Sequence, residues 1–433
     1  MTESTVTAAP DVDAVVLGGG IGGLGTALAP ARSGRAVRVL EQAAEFGEVG
    51  AGLQLAPNAT RVLRGWDLLD EVVEHGVRPR RLVLRDALDG SELTHLDLAD
   101  AERRYGAPYV VIHRSDLHAI LVRACRDAGA DLVTGATVTE VENGPDSATA
   151  VGDHRRDTGR VVIAADGLRS GLRRRLSSDE PVGSAYVAYR GAVALADLPD
   201  TGGLALEDVT VHVGPGCHLV QYPLRRVEML NTVAVFRSPG ALAGEEEWGT
   251  PDELDAAFAA TCEPVRAGLP HLWRDRWWHM ADREPIPTWV DGRLTPTGDA
   301  AHPMLQYLAQ GACQAFEDAA VLVEQAEKHD TGSGTDWDPA LRDYAAARTV
   351  RTARVQRTAR DWGDLWHCAG LFRATRNALL RDRAADDYRY VDWLYGHRHV
   401  GDPRSPRSAK TVRPTRSGAR HGRSGRSRRS PTW

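Results

Sequence analysis

The stretch DAVVLGGGIGGLGTALAPARSGRAVRVLEQ, residues 13–42, decides the fold. Its apolar run at 14–17 predicts a short β-strand that leads directly into a cluster of glycines. LGTALAPAR then predicts a helix, and AVRVLE predicts a second, parallel strand that ends at Glu41. Three of the glycines satisfy the G-x-G-x-x-G spacing: Gly18, Gly20 and Gly23.

Strand, glycines, helix, second strand and terminal acid together predict a dinucleotide-binding site. The first glycine permits the turn, the second lets the backbone approach a pyrophosphate, and the third lets the helix pack on the strand. The helix N-terminus offers unpaired N–H groups to the phosphates, and Glu41 is placed to accept hydrogen bonds from the adenosine ribose. Pro30 breaks the pattern, because proline inside a helix predicts a kink or an early end.

The fingerprint alone leaves open whether the ligand is NAD(P) or FAD, and two later segments bear on the choice. RVVIAADGLRSGLRRRL (160–176) and GRLTPTGDAAHPMLQYLAQGACQAFEDAAVLVEQA (292–326) each place an acid at the end of an apolar strand, Asp166 and Asp299 respectively. Ligands of open α/β sheets bind at such strand ends. FAD has a ribityl chain whose hydroxyls need a second carboxylate, whereas NAD has none, so the two segments favour FAD.

Composition sets the class of protein. The chain has 433 residues, 42% of them hydrophobic, which is enough for two or more cores. The N-terminus lacks the features of a secretory signal, and no run reaches the roughly 18 apolar residues of a membrane span. Five cysteines without CxxC pairs fit reduced thiols in the cytoplasm rather than disulfides or a metal site.

The C-terminal tail differs from the rest of the chain. Residues 401–433 are rich in Arg, Ser, Pro and Gly, although the whole chain carries a formal net charge of -6. Such a segment buries too little apolar surface to offset its ordering entropy, so we expect it to be disordered. We do not expect it to bind nucleic acid, and a solvated extension is the favoured interpretation over an electrostatic contact with nucleic acid or acidic lipid.

Seven further segments carry a resemblance to a known family. The glycine fingerprint with ADGLRS and TPTGDAAHP resembles the class A flavoprotein monooxygenases, the single-component aromatic hydroxylases. GEVGAGLQLAPNATRVL, GAPYVVIHRSDLHAIL, YVAYRGAV, VGPGCHLVQYPLR, MADREPIPTW, GDAAHPMLQYLAQGACQAFEDA and YVDWLYG are most similar to the 3-hydroxybenzoate 6-hydroxylase group, with the salicylate hydroxylases next. The resemblance spans residues 11–399.

The resemblance implies non-covalently bound FAD and transient use of NADH or NADPH. It assigns the residues that would hold FAD: Gly18, Gly20 and Gly23 at the pyrophosphate, Glu41 at the ribose, Arg114 near the phosphate and ribityl region, Asp166 in the DG motif, Asp299 at the ribityl-phosphate part, and Gly311 with Ala312 at the pyrimidine edge of the flavin. A helix cap is an equally compatible role for Asp166. Members of the family often form homodimers.

The segment GPGCHLVQYPLR (214–225) predicts a tight turn and a strand. Alternation puts His218, Val220 and Tyr222 on one face and Leu219 with Gln221 on the other. The residues alone favour ordinary sheet packing. In the resembling fold, however, this sheet covers the flavin, and the residues matching His218, Tyr222 and Gln306 contact the substrate.

The chemistry implied by the resemblance explains these residue types. Reduced flavin and O2 give a C4a-hydroperoxide, which attacks an electron-rich ring. A phenol titrates near pH ~10, so a base such as His218 is needed to form the phenolate, with Gln306 and Tyr222 fixing the ring. The expected reaction converts 3-hydroxybenzoate to 2,5-dihydroxybenzoate. Two alternatives stay open: salicylate or another phenolic or natural-product substrate, and a flavin-binding protein without hydroxylase activity.

The predicted architecture is α/β: a Rossmann-like, glutathione-reductase-type parallel sheet with an inserted antiparallel sheet and C-terminal helices. The expected FAD-binding segments are 11–80, 101–182 and 286–365, and the expected substrate segments are 81–100 and 183–285. Residues 366–400 form the C-terminal helical segment. YAAARTVRTARVQRTARDWGDLW predicts a long helix that covers the flavin-binding part.

Overall fold

A computed structural model describes residues 10–47, 50–198 and 204–398. The strands are β1 (Val12–Leu17), β2 (Val37–Leu40), β3 (Gly52–Leu55), β4 (Arg81–Asp86), β5 (Glu92–Asp97), β6 (Val110–His113), β7 (Asp131–Val133), β8 (Glu140–Asn143), β9 (Ala148–Val151), β10 (Arg156–Ala164), β11 (Val182–Ala194), β12 (Asp208–Gly214), β13 (Cys217–Leu224), β14 (Met229–Arg237), β15 (Trp278–Asp282) and β16 (Leu294–Pro296). The predicted tail, 401–433, lies outside the described residues.

Helices follow or connect these strands. They are α1 (Ile21–Arg32), α2 (Pro57–Gly65), α3 (Leu69–His75), α4 (Leu98–Tyr105), α5 (Arg114–Asp127), α6 (Pro239–Ala243), α7 (Pro251–Phe258), α8 (Glu263–Gly268), α9 (Gly311–Lys328), α10 (Trp337–His367), α11 (Gly370–Arg381) and α12 (Arg389–Tyr395). Among the helices of the described chain, none combines the length and apolar character needed to span a bilayer.

The first sheet has the predicted parallel core. Its order is β7-β2-β1-β10-β9-β8, with β16 also beside β10. The β1–β10, β1–β2, β2–β7 and β10–β16 pairs are parallel, whereas β8 and β9 are added antiparallel. The carboxyl ends of β1, β10 and β16 therefore meet at one edge, where the glycine loop and both acidic motifs begin.

The helices that cover this sheet pack closely. A Cβ on Gly25 of α1 would lie 2.9 Å from the Phe316 ring of α9, so glycine permits the close approach of the two helices. α1 runs through Pro30 to Arg32, so it covers the whole predicted segment LGTALAPAR and does not end early at the proline, which lies in its last turn. The predicted long C-terminal helix is α10, with 31 residues.

The second sheet has the order β15-β11-β14-β13-β12-β4-β5. It is antiparallel as predicted, apart from one parallel pair between β4 and β12. The chain therefore enters this sheet at β4 and β5, returns to the first sheet, and enters again at β11. One face of β13 contributes to the main core, and Leu219 on the other face packs in a separate cluster with Phe236 and Leu254.

Candidate active site

A cavity of about 490 Å³ is lined by residues of both sheets. The loops after β1, β10 and β16 contribute one side, and β11, β12, β13 and β14 contribute another. The beginning of α9 and parts of α10, α11 and α12 complete the lining. Residues from distant parts of the sequence therefore face a single cavity.

The glycine loop has no room for a side chain at Gly18 or Gly23. Gly18 has φ +116°, and a Cβ there would lie 2.4 Å from the carbonyl oxygen of Ala165. A Cβ on Gly23 would lie 1.9 Å from the carbonyl oxygen of Gly18. Gly20 and Gly23 line the cavity, so the backbone of this loop is open to a ligand.

Glu41 holds the same loop in place. It follows β2 directly, and its two carboxylate oxygens accept hydrogen bonds from the backbone N–H groups of Gly19, at 2.6 Å, and Ala43, at 2.8 Å. The carboxylate thus lies beside the glycine loop, which is the position that a ribose-binding acid needs. Its contact with the ribose stays a prediction.

Four other predicted cofactor residues line the cavity: Arg114, Asp299, Gly311 and Ala312. Arg114 begins α5, and Gly311 begins α9. The Asp299 side chain is solvent-accessible on the cavity, and desolvation by the surrounding protein raises the pKa of its carboxyl group. A Cβ on Gly311 would lie 3.9 Å from an Asp299 carboxylate oxygen, so the two predicted positions adjoin.

Asp166 lies outside the cavity lining. It follows β10, and its carboxylate interacts with Ser170 and with the backbone of Gly171 and Leu172, at the start of a short 3-10 turn. These interactions are compatible with the capping role that the sequence left open for it. Its neighbours Ala165 and Gly167 do line the cavity, so Asp166 lies beside the cavity wall.

These groups fit FAD. A glycine loop that excludes a Cβ at Gly18 and Gly23 suits a pyrophosphate, and a carboxylate on the cavity suits the hydroxyls of a polar chain. The first N–H groups of α9 have no acceptor within the helix, so they suit the polar edge of a flavin ring. Arg114, Asp299 and Gly311 would hold successive parts of the cofactor.

His218 faces the cavity from β13 together with Val220 and Tyr222. It is 1% exposed, and its Nδ1 atom lies 2.8 Å from Nε2 of His367, at the end of α10. Burial, together with His367, lowers the pKa of His218 well below 6.5, so its imidazole is neutral at neutral pH. The His218 Nε2 atom is the nitrogen left for a ligand.

Tyr222 and Gln306 lie on the same cavity. A Cβ on Gly52 would lie 2.6 Å from the Tyr222 hydroxyl oxygen, so glycine at position 52 makes room for this side chain. Burial raises the pKa of Tyr222, which keeps its hydroxyl protonated and able to donate. Gln306 lies in a 3-10 turn before α9, with its Oε1 atom 3.4 Å from an Arg190 nitrogen.

A buried ionic network supports the loop that carries Asp299. Asp318 of α9 accepts hydrogen bonds from the backbone N–H of Gly298, at 3.0 Å, and from the Arg348 guanidinium, at 2.7 Å. The fully buried His302 contacts the same carboxylate at 2.6 Å and does not line the cavity. Asp318 and Arg348 carry no motif that sequence reasoning could use.

Sequence reasoning also missed Arg190, which lines the cavity, and His367, which contacts His218 without lining the cavity itself. Arg190 of β11 lies within YVAYRGAV. In an alternating strand a polar residue is expected at such a position whether or not it binds a ligand. His367 is connected to the site by its contact with His218, which is 149 positions away in the sequence. Both residues reach the site only when two strands and the end of α10 come together in the folded chain, so no local sequence pattern indicates them.

Known proteins share this architecture along most of the chain. The family described as FAD binding domain matches residues 11–359. The 3-hydroxybenzoate 6-hydroxylase of Polaromonas naphthalenivorans (strain CJ2) is 38% identical over 396 residues, which cover 89% of this chain and 96% of that protein. The 3-amino-4-hydroxybenzoate 2-monooxygenase of Streptomyces cremeus is 36% identical over 401 residues, covering 91% of this chain and 97% of that protein.

Among solved structures, Klebsiella pneumoniae HpxO complexed with FAD and uric acid is similar, with a TM-score of 0.75 and 27% identity, covering 86% of this chain and 93% of that chain. The fold, the cavity and these relatives agree on FAD as the cofactor. They leave the alternative of a non-hydroxylating flavin-binding protein without support. The chain therefore belongs to the FAD binding domain family and is a flavin-dependent monooxygenase.

Proposed function

We propose that this monooxygenase hydroxylates 3-hydroxybenzoate para to its hydroxyl group, giving 2,5-dihydroxybenzoate, with NADH or NADPH as reductant and O2 as oxidant. The observation that carries the proposal is the meeting of His218, Tyr222 and Gln306 on the cavity that Asp299 and Gly311 also line. The relatives add support, because several are hydroxylases of hydroxybenzoates.

A bound flavin, reduced by the nicotinamide, would activate O2 and so supply an electrophilic oxygen. The protein must then make the substrate ring electron-rich, because a neutral phenol reacts poorly. A free phenol has a pKa of about 10, so proton removal has to be assisted at neutral pH. A buried base next to the ring provides that assistance.

In this proposal His218 accepts the phenolic proton at Nε2. Its lowered pKa keeps the imidazole neutral before substrate binds, so a lone pair is available at neutral pH. The accepting tautomer carries its own proton on Nδ1, which then donates to Nε2 of His367 across the 2.8 Å contact. His367 thus orients the base, as a third group does in other base-activated sites.

Tyr222 and Gln306 orient the ring. Tyr222 is 3% exposed and its hydroxyl stays protonated, so it donates a hydrogen bond to a polar substituent. Gln306 offers both a donor and an acceptor from the turn that leads into α9. Apolar residues of the second sheet, among them Val211, Val220 and Val233, surround the ring and exclude water.

The test is a product assay on the purified, FAD-loaded protein. We expect 3-hydroxybenzoate to stimulate NADH or NADPH oxidation and O2 uptake, and to yield 2,5-dihydroxybenzoate by mass spectrometry and NMR. Consumption of reductant with hydrogen peroxide as the only product from 3-hydroxybenzoate, alongside efficient hydroxylation of another phenol, would refute the substrate assignment. Comparison of initial rates with the two reductants decides between NADH and NADPH.

The second candidate is another hydroxybenzoate. The Streptomyces relative favours 3-amino-4-hydroxybenzoate, and salicylate and larger phenolic intermediates belong to the same chemical class. The same assay distinguishes them, since each gives a product of different mass or substitution pattern. A reaction that consumes reduced nicotinamide fits the cytoplasmic location expected from the sequence, and homodimer formation stays a prediction.

A further inference from the structure

Arg190 is a cation on the cavity without an anionic partner in the described part of the chain. It lies on β11, where its neighbour Tyr189 faces the opposite side and donates to the carbonyl of Gly249. The Arg190 guanidinium lies 5.4 Å from the Trp278 ring centre. Its Nε atom is buried and has no hydrogen-bond partner within the described residues.

The hydrogen bonding of Arg190 is weak for a guanidinium. Its one side-chain hydrogen bond in the described structure runs from Nη2 to Gln306 Oε1, at 3.4 Å. The charged residue that acts on it is Arg114, another cation, and burial together with this repulsion lowers the pKa of Arg190. A buried charge that lacks a counterion is costly, so such sites in proteins are normally completed by a partner.

Arg383, another arginine on the cavity, is hydrogen-bonded within the protein. Arg383 donates to Thr94 Oγ1 at 2.7 Å and to the His95 carbonyl at 2.9 Å. The Asp299 carboxylate interacts with Arg114 and His302 rather than with Arg190. Arg190 is therefore the cavity cation whose neighbours leave room for an external anion.

We propose that Arg190 is a specificity-determining residue that binds the carboxylate of the aromatic acid. The inference rests on the proposed function, and it identifies the group by which the enzyme would prefer an aromatic acid to a neutral phenol. The guanidinium presents paired N–H donors that match the two oxygens of a carboxylate. It is adjacent to Gln306 and shares the cavity with His218 and Tyr222, so the phenolic and carboxylate ends of one ring would be held by different groups.

The experiment compares an acid with its neutral isostere. Arg190→Gln and Arg190→Lys are assayed with 3-hydroxybenzoate and with 3-hydroxybenzamide, and the ratio of kcat/KM for acid over amide is the readout. We expect Arg190→Gln to lower that ratio by about 30-fold or more, since truncating one member of a buried charge pair costs at least that much. Arg190→Lys keeps the charge without the paired donors and should give an intermediate ratio.

The control variant is Arg383→Gln, whose arginine lies on the same cavity but already has partners. Its acid-to-amide ratio should stay at the wild-type value. An equal loss of both substrates in Arg190→Gln, or a loss of FAD affinity with an unchanged ratio, would overturn the inference. The first result would assign Arg190 to general site architecture and the second to cofactor binding.

Failure of the proposed function gives a different result. If wild-type protein hydroxylates no hydroxybenzoate, the proposed function fails, and the dissociation constants of benzoate and benzamide from flavin difference spectra still test Arg190. Selective weakening of benzoate binding in Arg190→Gln would then support anion recognition. Equal affinity changes for benzoate and benzamide would refute it.

Discussion

The Nδ1 atom of His218 lies 2.8 Å from Nε2 of His367, in a site where the two residues are 1% and 8% exposed. We predict that His367→Leu lowers kcat for hydroxylation by about 10- to 100-fold, because a base that loses its orienting partner forfeits part of a ~10²- to 10⁴-fold contribution. The measurement is product formation per NAD(P)H oxidised, together with the pH at which bound 3-hydroxybenzoate ionises, followed by its phenolate absorbance.

His367→Gln is the matched variant for this prediction. Its amide oxygen can accept from His218 Nδ1–H, and it lacks the Nδ1 atom of His367, which is buried without a hydrogen-bond partner in the described residues. Glutamine should therefore restore much of the activity lost with leucine. Equal losses in the two variants, or an unchanged ionisation pH in His367→Leu, would argue that His367 only fills space.

The pH dependence of hydroxylation should reflect the lowered pKa of His218. The base must be neutral to accept a proton, and burial shifts its pKa below 6.5. As pH falls, activity is therefore kept through pH 6.5 and lost only below it. We expect the acidic limb of kcat/KM for product formation to have its midpoint below pH 6.5. A midpoint at or above 6.5 would contradict the assignment, and His218→Asn should abolish this limb.

Gly23→Ala should prevent FAD binding. The new Cβ would lie 1.9 Å from the Gly18 carbonyl oxygen, and backbone cannot yield as a flexible side chain can. The glycine loop would have to open, and we expect the purified variant to be colourless or to bind FAD at least ~100-fold more weakly, which corresponds to about 3 kcal/mol. Flavin content and FAD titration by fluorescence quenching measure the effect.

Gly65→Ala provides the control for that steric argument. Gly65 ends α2, and a Cβ there meets no atom within 4 Å. This variant should bind FAD as the wild type does. Normal flavin content in Gly23→Ala would show that the loop adopts another conformation when it binds the cofactor.

Arg348→Met should destabilise the protein by about 3–5 kcal/mol, the usual cost of removing one member of a buried ionic network. Arg348 is 0% exposed and bonds both Asp318 and Glu317 at 2.7 Å. Urea unfolding of the FAD-loaded enzyme measures the change. Arg103→Met removes an exposed ion pair with Asp100 and should cost at most about 0.5 kcal/mol. Similar midpoints for the two variants would contradict the prediction.

The sequence predicted the features that depend on local spacing. The glycine fingerprint specifies its own turn, and the two-residue period of a strand is enough to group His218 with Tyr222. The assignment of Asp299 and Gly311 needed the family resemblance as well as the strand-end rule. Their positions on the cavity agree with that assignment, while their contacts with FAD stay predictions.

Arg190 and His367 escaped prediction for a physical reason. From sequence alone, an arginine in a strand is expected to be solvated. A histidine at the C-terminal end of a helix is expected to interact with the helix end rather than with a ligand. Their importance depends on burial and on partners that are remote in sequence. The parallel β4–β12 pair was missed for a similar reason, since nothing local to either strand encodes a partner more than a hundred residues away.

The double entry of the chain into the second sheet limits how this enzyme can be recombined with relatives. β12 takes its parallel neighbour from residues 81–86, whereas its antiparallel neighbour β13 follows it directly. A chimera that exchanges only residues 182–282 would pair β12 of one parent with β4 of the other. Transplanting substrate preference therefore requires two coordinated segment exchanges, residues 81–97 together with residues 182–282.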